Sequence, residues 1–266
     1  MTAAIPLDTL AEAVRQRVGG YLANTVRTQG RACQVCTGPA SNEMCSRCAS
    51  QRSVFGDQLA ARIFTLTYAQ GNHPREIHQS AHTLRSYKNP LPATECQQNL
   101  QLLVAAASAV HGDCMQQSAG RLWDSLTFVP SGSRRGLQHP VAALACQVRA
   151  LRGASRRFDL DLGPAIADPC RTVRPDRFVV REEHLGLVAG QHVLLLDDTW
   201  TTGSKLQSAA VALRRAGAAL VTGLCVARWC RWDWPDHAAL LAELDVPYDA
   251  RSCPAIDGIC DRGLAI

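Results

Sequence analysis

Apolar and polar residues run along this chain in blocks whose period changes from segment to segment. Leu7, Leu10, Val14, Val18 and Leu22 fall at helical spacing, predicting an amphipathic helix that stops near Gly19 and Gly20. Residues 63–68 alternate and are rich in β-branched types, predicting a strand. A long helix with an apolar stripe is expected over 95–111, a second strand over 125–130, and a helix opened by Pro140. Phe178, Val179 and Val180 read as another short strand. Val193 to Leu196 then gives four apolar residues in a row, ending abruptly in DDTWTTG, after which SKLQSAAVALRRAGA is helical in pattern. A short continuous apolar run of this kind predicts a buried parallel strand feeding a helix. Residues 219–228 form one more buried strand. Strand and helix alternate from residue 125 onward, which predicts an α/β fold with a mostly parallel, doubly wound sheet.

The abrupt end of that apolar run carries the most chemistry. In an open α/β sheet, ligands sit beyond the carboxyl ends of the strands, where Asp197 and Asp198 are expected. Thr199, Thr201, Thr202 and Ser204 offer hydroxyls, and Gly203 permits backbone shapes that other residues resist. The next helix starts near Ser204 with unpaired N–H groups, so the turn is suited to a phosphate. The acids suit sugar hydroxyls or a metal carried by the ligand. A phosphorylated sugar therefore fits better than a bare anion. The plainer alternative is a polar strand-to-helix turn with Ser204 as a helix cap. Residues 131–135, SGSRR, follow the 125–130 strand. Ser131 and its neighbours can expose N–H groups there, and Arg134 and Arg135 suit a diphosphate. The competing reading is a solvated basic loop.

Cysteine spacing divides the chain. Cys33 and Cys36 form one C-x-x-C pair and Cys45 and Cys48 a second. Two such turns can close a tetrahedral shell around zinc, and four thiolates leave no open position for catalysis. Disulfides or a redox pair are the alternatives, although no thioredoxin-like strand precedes the motif. The expected division is a helical segment at 1–30, a zinc module at 31–52 and a main domain at 53–266. Cys230, Cys253 and Cys260 raise the question of a second metal, without an evident fourth ligand.

Composition narrows the class. The 266 residues are 47% hydrophobic and 19% charged, which fits a globular protein rather than a disordered one. The formal net charge of +5 suits phosphate-rich ligands as well as nucleic acid. No apolar run has the roughly 18–20 residues of a membrane helix. Asp8 and Glu12 interrupt what would be the core of a signal peptide, so a cytoplasmic location with reduced or metal-bound thiols is expected.

An apolar strand, two acids, a short linker and then TTG with a small residue resembles the signature of the type I phosphoribosyltransferases. The resemblance implies that phosphoribosyl pyrophosphate (PRPP), with magnesium, binds here. It places Asp197 and Asp198 at the ribose hydroxyls, residues 199–204 at the 5′-phosphate, and the pyrophosphate near 131–135. It also implies a flexible loop, for which Arg171, Arg174 and Arg177 are candidates. Together with the four-cysteine module, the pattern resembles the ComF family, linked to natural competence. Relatives usually keep a Lys-Tyr element after the zinc module, and here Tyr87-Lys88 stands in reversed order. The implied activity is phosphoribosyl transfer to a nucleobase or amine. The alternatives are PRPP or nucleotide binding without turnover, with the zinc module contacting DNA or a recombination partner, or a purely structural zinc protein.

Overall fold

The computed structural model describes residues 6–89, 93–131, 139–151 and 156–259. Arg134 and Arg135, and also Cys260, lie outside them. The elements are α1 (Leu7–Val18), α2 (Ser46–Phe55), β1 (Arg62–Gly71), α3 (Gln79–Ser86), α4 (Thr94–Ser118), β2 (Ser125–Phe128), α5 (Pro140–Ala145), β3 (Leu160–Leu162), β4 (Phe178–Val180), β5 (His192–Trp200), α6 (Ser204–Arg215), β6 (Leu220–Arg231) and α7 (Pro235–Ala242).

Four strands form one fully parallel sheet in the order β1-β6-β5-β2. Successive side chains on a strand point to opposite faces, and β5 shows both. Leu194 and Leu196 pack with Phe64, Leu66, Leu224 and Val226 against α1, α4 and α5. Val193 and Leu195 pack on the other face with Ile63, Val221 and the Leu206–Leu213 stripe of α6. A strand buried on both faces must be apolar at every position, which is why the alternating pattern disappears at residues 193–196. The expected doubly wound α/β sheet is thus present.

Several boundaries differ from the sequence reading, and three bear on the site or the sheet. β5 does not stop at the acids but continues through Trp200, because β6 runs on beside it and pairs Thr199 with Ala227 and Trp200 with Arg228. α5 ends at Ala145. Phe178–Val180 forms an antiparallel hairpin with β3, outside the main sheet.

Candidate functional site

The acids and the turn after them lie at the carboxyl end of β5, beside those of β1 and β6. An open cleft of about 1390 Å³ lies there. Its walls come from the cysteine module, the β5–α6 junction, the end of β2 and the Trp-rich end of β6.

The floor is set by Asp197 and Asp198. As strand neighbours they point to opposite sides of the sheet. Asp198 is buried and turns toward the end of α3, where it accepts a hydrogen bond from the Tyr87 hydroxyl and pairs with Lys88 Nζ at 2.8 Å. Burial opposes its charge, but Lys88 and the Tyr87 hydroxyl outweigh that and hold it below the usual carboxylate range. Asp197 is half-buried, and its Oδ1 accepts from the Asp198 amide at 2.9 Å. Desolvation, reinforced by the Asp198 charge, pushes Asp197 up to about 8. One acid of the pair is therefore held ionised and its neighbour is disposed to keep a proton.

The loop after the acids is short. Thr199 belongs to the strand, and the turn proper is Thr201, Thr202 and Gly203. Gly203 adopts φ +74°, and a Cβ there would meet the Trp200 ring at 2.1 Å. Only glycine suits both the backbone shape and this close approach. Trp200, 2% exposed, is thus the platform on which the loop lies. Ser204 opens α6. Its amide lies 3.4 Å from Thr202 Oγ1, and the Thr202 hydroxyl donates to Ser204 Oγ at 3.1 Å. Gly203 offers no side-chain cap to the helix, so amide donors at the start of α6 stay available toward the cleft.

The cysteine module forms a wall of the cleft. Cys33, Cys36, Cys45 and Cys48 have sulfurs that all lie within 4.8 Å of one another, and Cys36 and Cys45 are 3.8 Å apart. Two thiolates each 2.3 Å from a tetrahedral zinc would be separated by about 3.8 Å. The donor set and spacing therefore fit a structural zinc. The Cys33 turn closes through Cys33 N–H to Gly38 O at 2.8 Å, with Ala32 and Pro39 bridged beside it. α2 starts immediately after Cys45 and carries Cys48 in its first turn.

Two side chains tie this module to the acid loop. Gln51 of α2 donates to Thr202 O at 3.0 Å. Arg228, 6% exposed at the end of β6, donates to the carbonyls of Trp200, Thr201 and Trp229 at 3.1, 2.8 and 2.9 Å. A Cβ on Gly38 would collide with its guanidinium at 2.5 Å, so the cysteine turn rests directly on Arg228. Burial disfavours the guanidinium charge, but the nearby thiol groups of Cys36, Cys230, Cys45 and Cys48 favour it more strongly. A zinc with four thiolates carries a net double negative charge, and Arg228 is placed to offset part of it.

Ser131 ends the segment after β2 and is held by His139, whose Nε2 is 3.0 Å from both its amide and its hydroxyl. His139 also caps α5 by accepting from Val141 N–H at 3.2 Å. Ser131 lines the cleft opposite Asp197 and Asp198. Arg171 and Arg177 line it too, Arg177 while donating to the carbonyls of Asp168 and Cys170, whereas Arg174 pairs with Asp168 at 2.5 Å. Trp229 and Trp234 stand at the rim against Arg85 and Arg231, at 5.0 and 4.9 Å. Trp232 instead donates to Gln70 Oε1 at 3.0 Å.

Of the residues singled out in the sequence, the acids, the turn, Ser131, Cys36, Cys45 and Cys48 line one cleft, and Cys33 joins them through the four-sulfur cluster. Sequence reasoning passed over Tyr87, gave Lys88 little weight, and did not single out Gln51 or Arg228. A usable signal existed for Arg228, the one charge within residues 220–230.

No family model matches the sequence, and no curated protein does. Among solved structures, the chain is similar to a phosphoribosyltransferase from Corynebacterium diphtheriae, with 19% identity, a TM-score of 0.27, and coverage of 61% of this chain and 88% of that one. No helix among the described residues is long and apolar enough to cross a membrane.

Proposed function

We propose that the cleft binds PRPP, or a closely related ribose 5-phosphate compound, and that the domain is a phosphoribosyltransferase of the type I kind. The observation that carries this reading is the β5–α6 junction. Two acids at a strand end are followed by a glycine-shaped turn whose helix amides stay available toward the same cleft. In this reading the 5′-phosphate lies against Thr201, Thr202, Gly203 and Ser204, with Thr199 just behind them on the strand. Asp197 and Asp198 take the ribose hydroxyls. Ser131, with Arg134 and Arg135 beyond it, receives the pyrophosphate. Magnesium bound with PRPP would neutralise part of the pyrophosphate charge.

The chain's own contribution to transfer is electrostatic and positional. Arg134 and Arg135, outside the described residues, are the cations expected to draw the leaving pyrophosphate, and the carboxylates face the sugar as it becomes cationic. A nitrogen nucleophile from a nucleobase or amine would enter on the Trp229 and Trp234 side. The cleft exceeds the ~300–1,000 Å³ of common small-molecule pockets, leaving room for a second reactant.

Calorimetric titration with magnesium and PRPP, followed by a pyrophosphate-release assay across nucleobases, tests the proposal. Micromolar binding that disappears in the Asp197→Asn, Asp198→Asn double variant is expected. Wild-type affinity in that variant would refute the placement.

A second reading, binding without turnover, is favoured by the Asp198–Lys88 pair. The ionised acid already has its counter-ion before any ligand arrives, as suits a sensor. Binding with no pyrophosphate release from any acceptor would select it. A role in DNA uptake or recombination would need free basic surface on the cysteine module. Arg31 is committed to Glu243 and Arg52 to Gly56 O at 3.2 Å, while Arg47 faces the cleft. That arrangement supports a small-molecule role for the module over a nucleic-acid one.

A further inference from the structure

Of the cysteines that raised the question of a second metal, Cys230 and Cys253 do not meet. Cys230 is buried among Tyr68, Leu240 and Leu241 on β6, away from the chain end. Cys253 instead meets α4. Its sulfur, the Cys114 sulfur and a ring nitrogen of His111 all lie within 4.8 Å of one another. From these three residues we infer a second structural zinc site, which fastens the C-terminal segment to α4.

Three observations support it independently. His111 and Cys114 are three apart on α4, so they present their donors on one helix face. His111 Nε2 lies 2.9 Å from Ala250 O. A carbonyl can only accept, so Nε2 carries the proton and Nδ1 keeps its lone pair. A histidine fixed in this way by a backbone carbonyl is the usual arrangement behind a metal-bound imidazole. Here the carbonyl belongs to the very segment that brings Cys253.

The backbone around Cys253 also repeats that of the first cysteine turn. Cys33 N–H closes on Gly38 O at 2.8 Å with Ala32 and Pro39 bridged outside it. Cys253 N–H closes on Gly258 O at 2.9 Å with Ser252 and Ile259 bridged outside it. The same ring size, the same terminal glycine and the same flanking bridge recur. Ala255 N–H further points at Cys253 Sγ, 3.5 Å away, a contact that favours the thiolate. Two sulfurs and an imidazole are donors that zinc takes readily, and the harder magnesium and calcium do not. A fourth ligand would complete the tetrahedron.

Native mass spectrometry of the full chain, purified under reducing conditions without chelator, tests the inference. The wild type is expected to carry two zinc ions. Cys114→Ser, a half-exposed position, should carry one, and Cys253→Ala should do the same. One zinc in the wild type would overturn the proposal, as would two retained in either variant. Cobalt substitution gives a readout that does not depend on a variant folding. A site with nitrogen and fewer thiolates should add visible absorption distinct from that of the four-thiolate site, in the wild type. A single four-thiolate spectrum at saturating cobalt would overturn it too.

Discussion

The two adjacent acids are chemically unequal, and the difference can be titrated. Asp197 is held up at about 8 by burial and by the charge of Asp198. A carboxyl with a raised folded value binds its proton more tightly in the folded state. Its contribution is complete below the ordinary carboxylate range and is lost as pH rises through about 8. Thermal melting of the ligand-free wild type should therefore fall relative to Asp197→Asn between about pH 4, where a free carboxylate titrates, and about pH 8. Parallel melting profiles across that range would show that Asp197 is not perturbed. Gly203 offers a second residue-scale test. Gly203→Ala forces a side chain into a left-handed φ and onto the Trp200 ring, at a cost of about 1–3 kcal/mol from the backbone alone. Gly190 is the control, with φ +71° and open space around its missing Cβ. Both alanine variants should melt lower, but only Gly203→Ala should weaken PRPP binding, by tenfold or more. Equal affinities in the two would detach Gly203 from the ligand site.

At the scale of elements, the cysteine module is a wall of the cleft, not an appendage. One alternative from the sequence has it contacting a partner or DNA. Arg228 and Gln51 join it to the carbonyls of Trp200, Thr201 and Thr202, so its loss must loosen the loop. Stripping zinc with a chelator should lower PRPP affinity at least tenfold. Gln51→Ala, which keeps the metal, should cost about 1 kcal/mol as one hydrogen bond does, roughly fivefold in affinity. Unchanged affinity in the zinc-free protein would return the module to an independent role. What the sequence made legible follows the same division. The cysteine pairs and the β5–α6 junction are local patterns, set by residues a few positions apart. Tyr87 and Lys88 meet Asp198 only because α3 packs across the end of the sheet, and Arg228 reaches the turn only through the parallel register of β5 and β6. Contacts across parallel strands and distant helices leave no spacing to read. The end of β5 was misplaced for a related reason. Hydropathy stops at Leu196, while the backbone ladder with β6 continues to Trp200.

At the scale of the whole molecule, the sheet is assembled from strands far apart in the chain. β1 has β6 as its neighbour and β2 has β5, so neither early strand gains a sheet partner until the last third of the sequence exists. Such non-local pairing slows folding and leaves edges exposed during synthesis. The segment before β1 answers that exposure. Ala23 O accepts from the Tyr68 amide at 3.2 Å, Asn24 bridges Thr67, Thr25 donates to Thr65 O at 2.8 Å, and Arg27 donates to Ile63 O at 3.0 Å. These residues lie along β1 on the side away from β6. A nascent chain therefore carries its own edge guard, made before the strand it covers. The Thr37–Thr65 and Tyr68–Thr37 hydrogen bonds, both 2.7 Å, let the metal-ordered cysteine turn brace the same strand. Zinc acquired early in synthesis would thus steady the guarded edge of β1, leaving only the opposite edge to wait for β6.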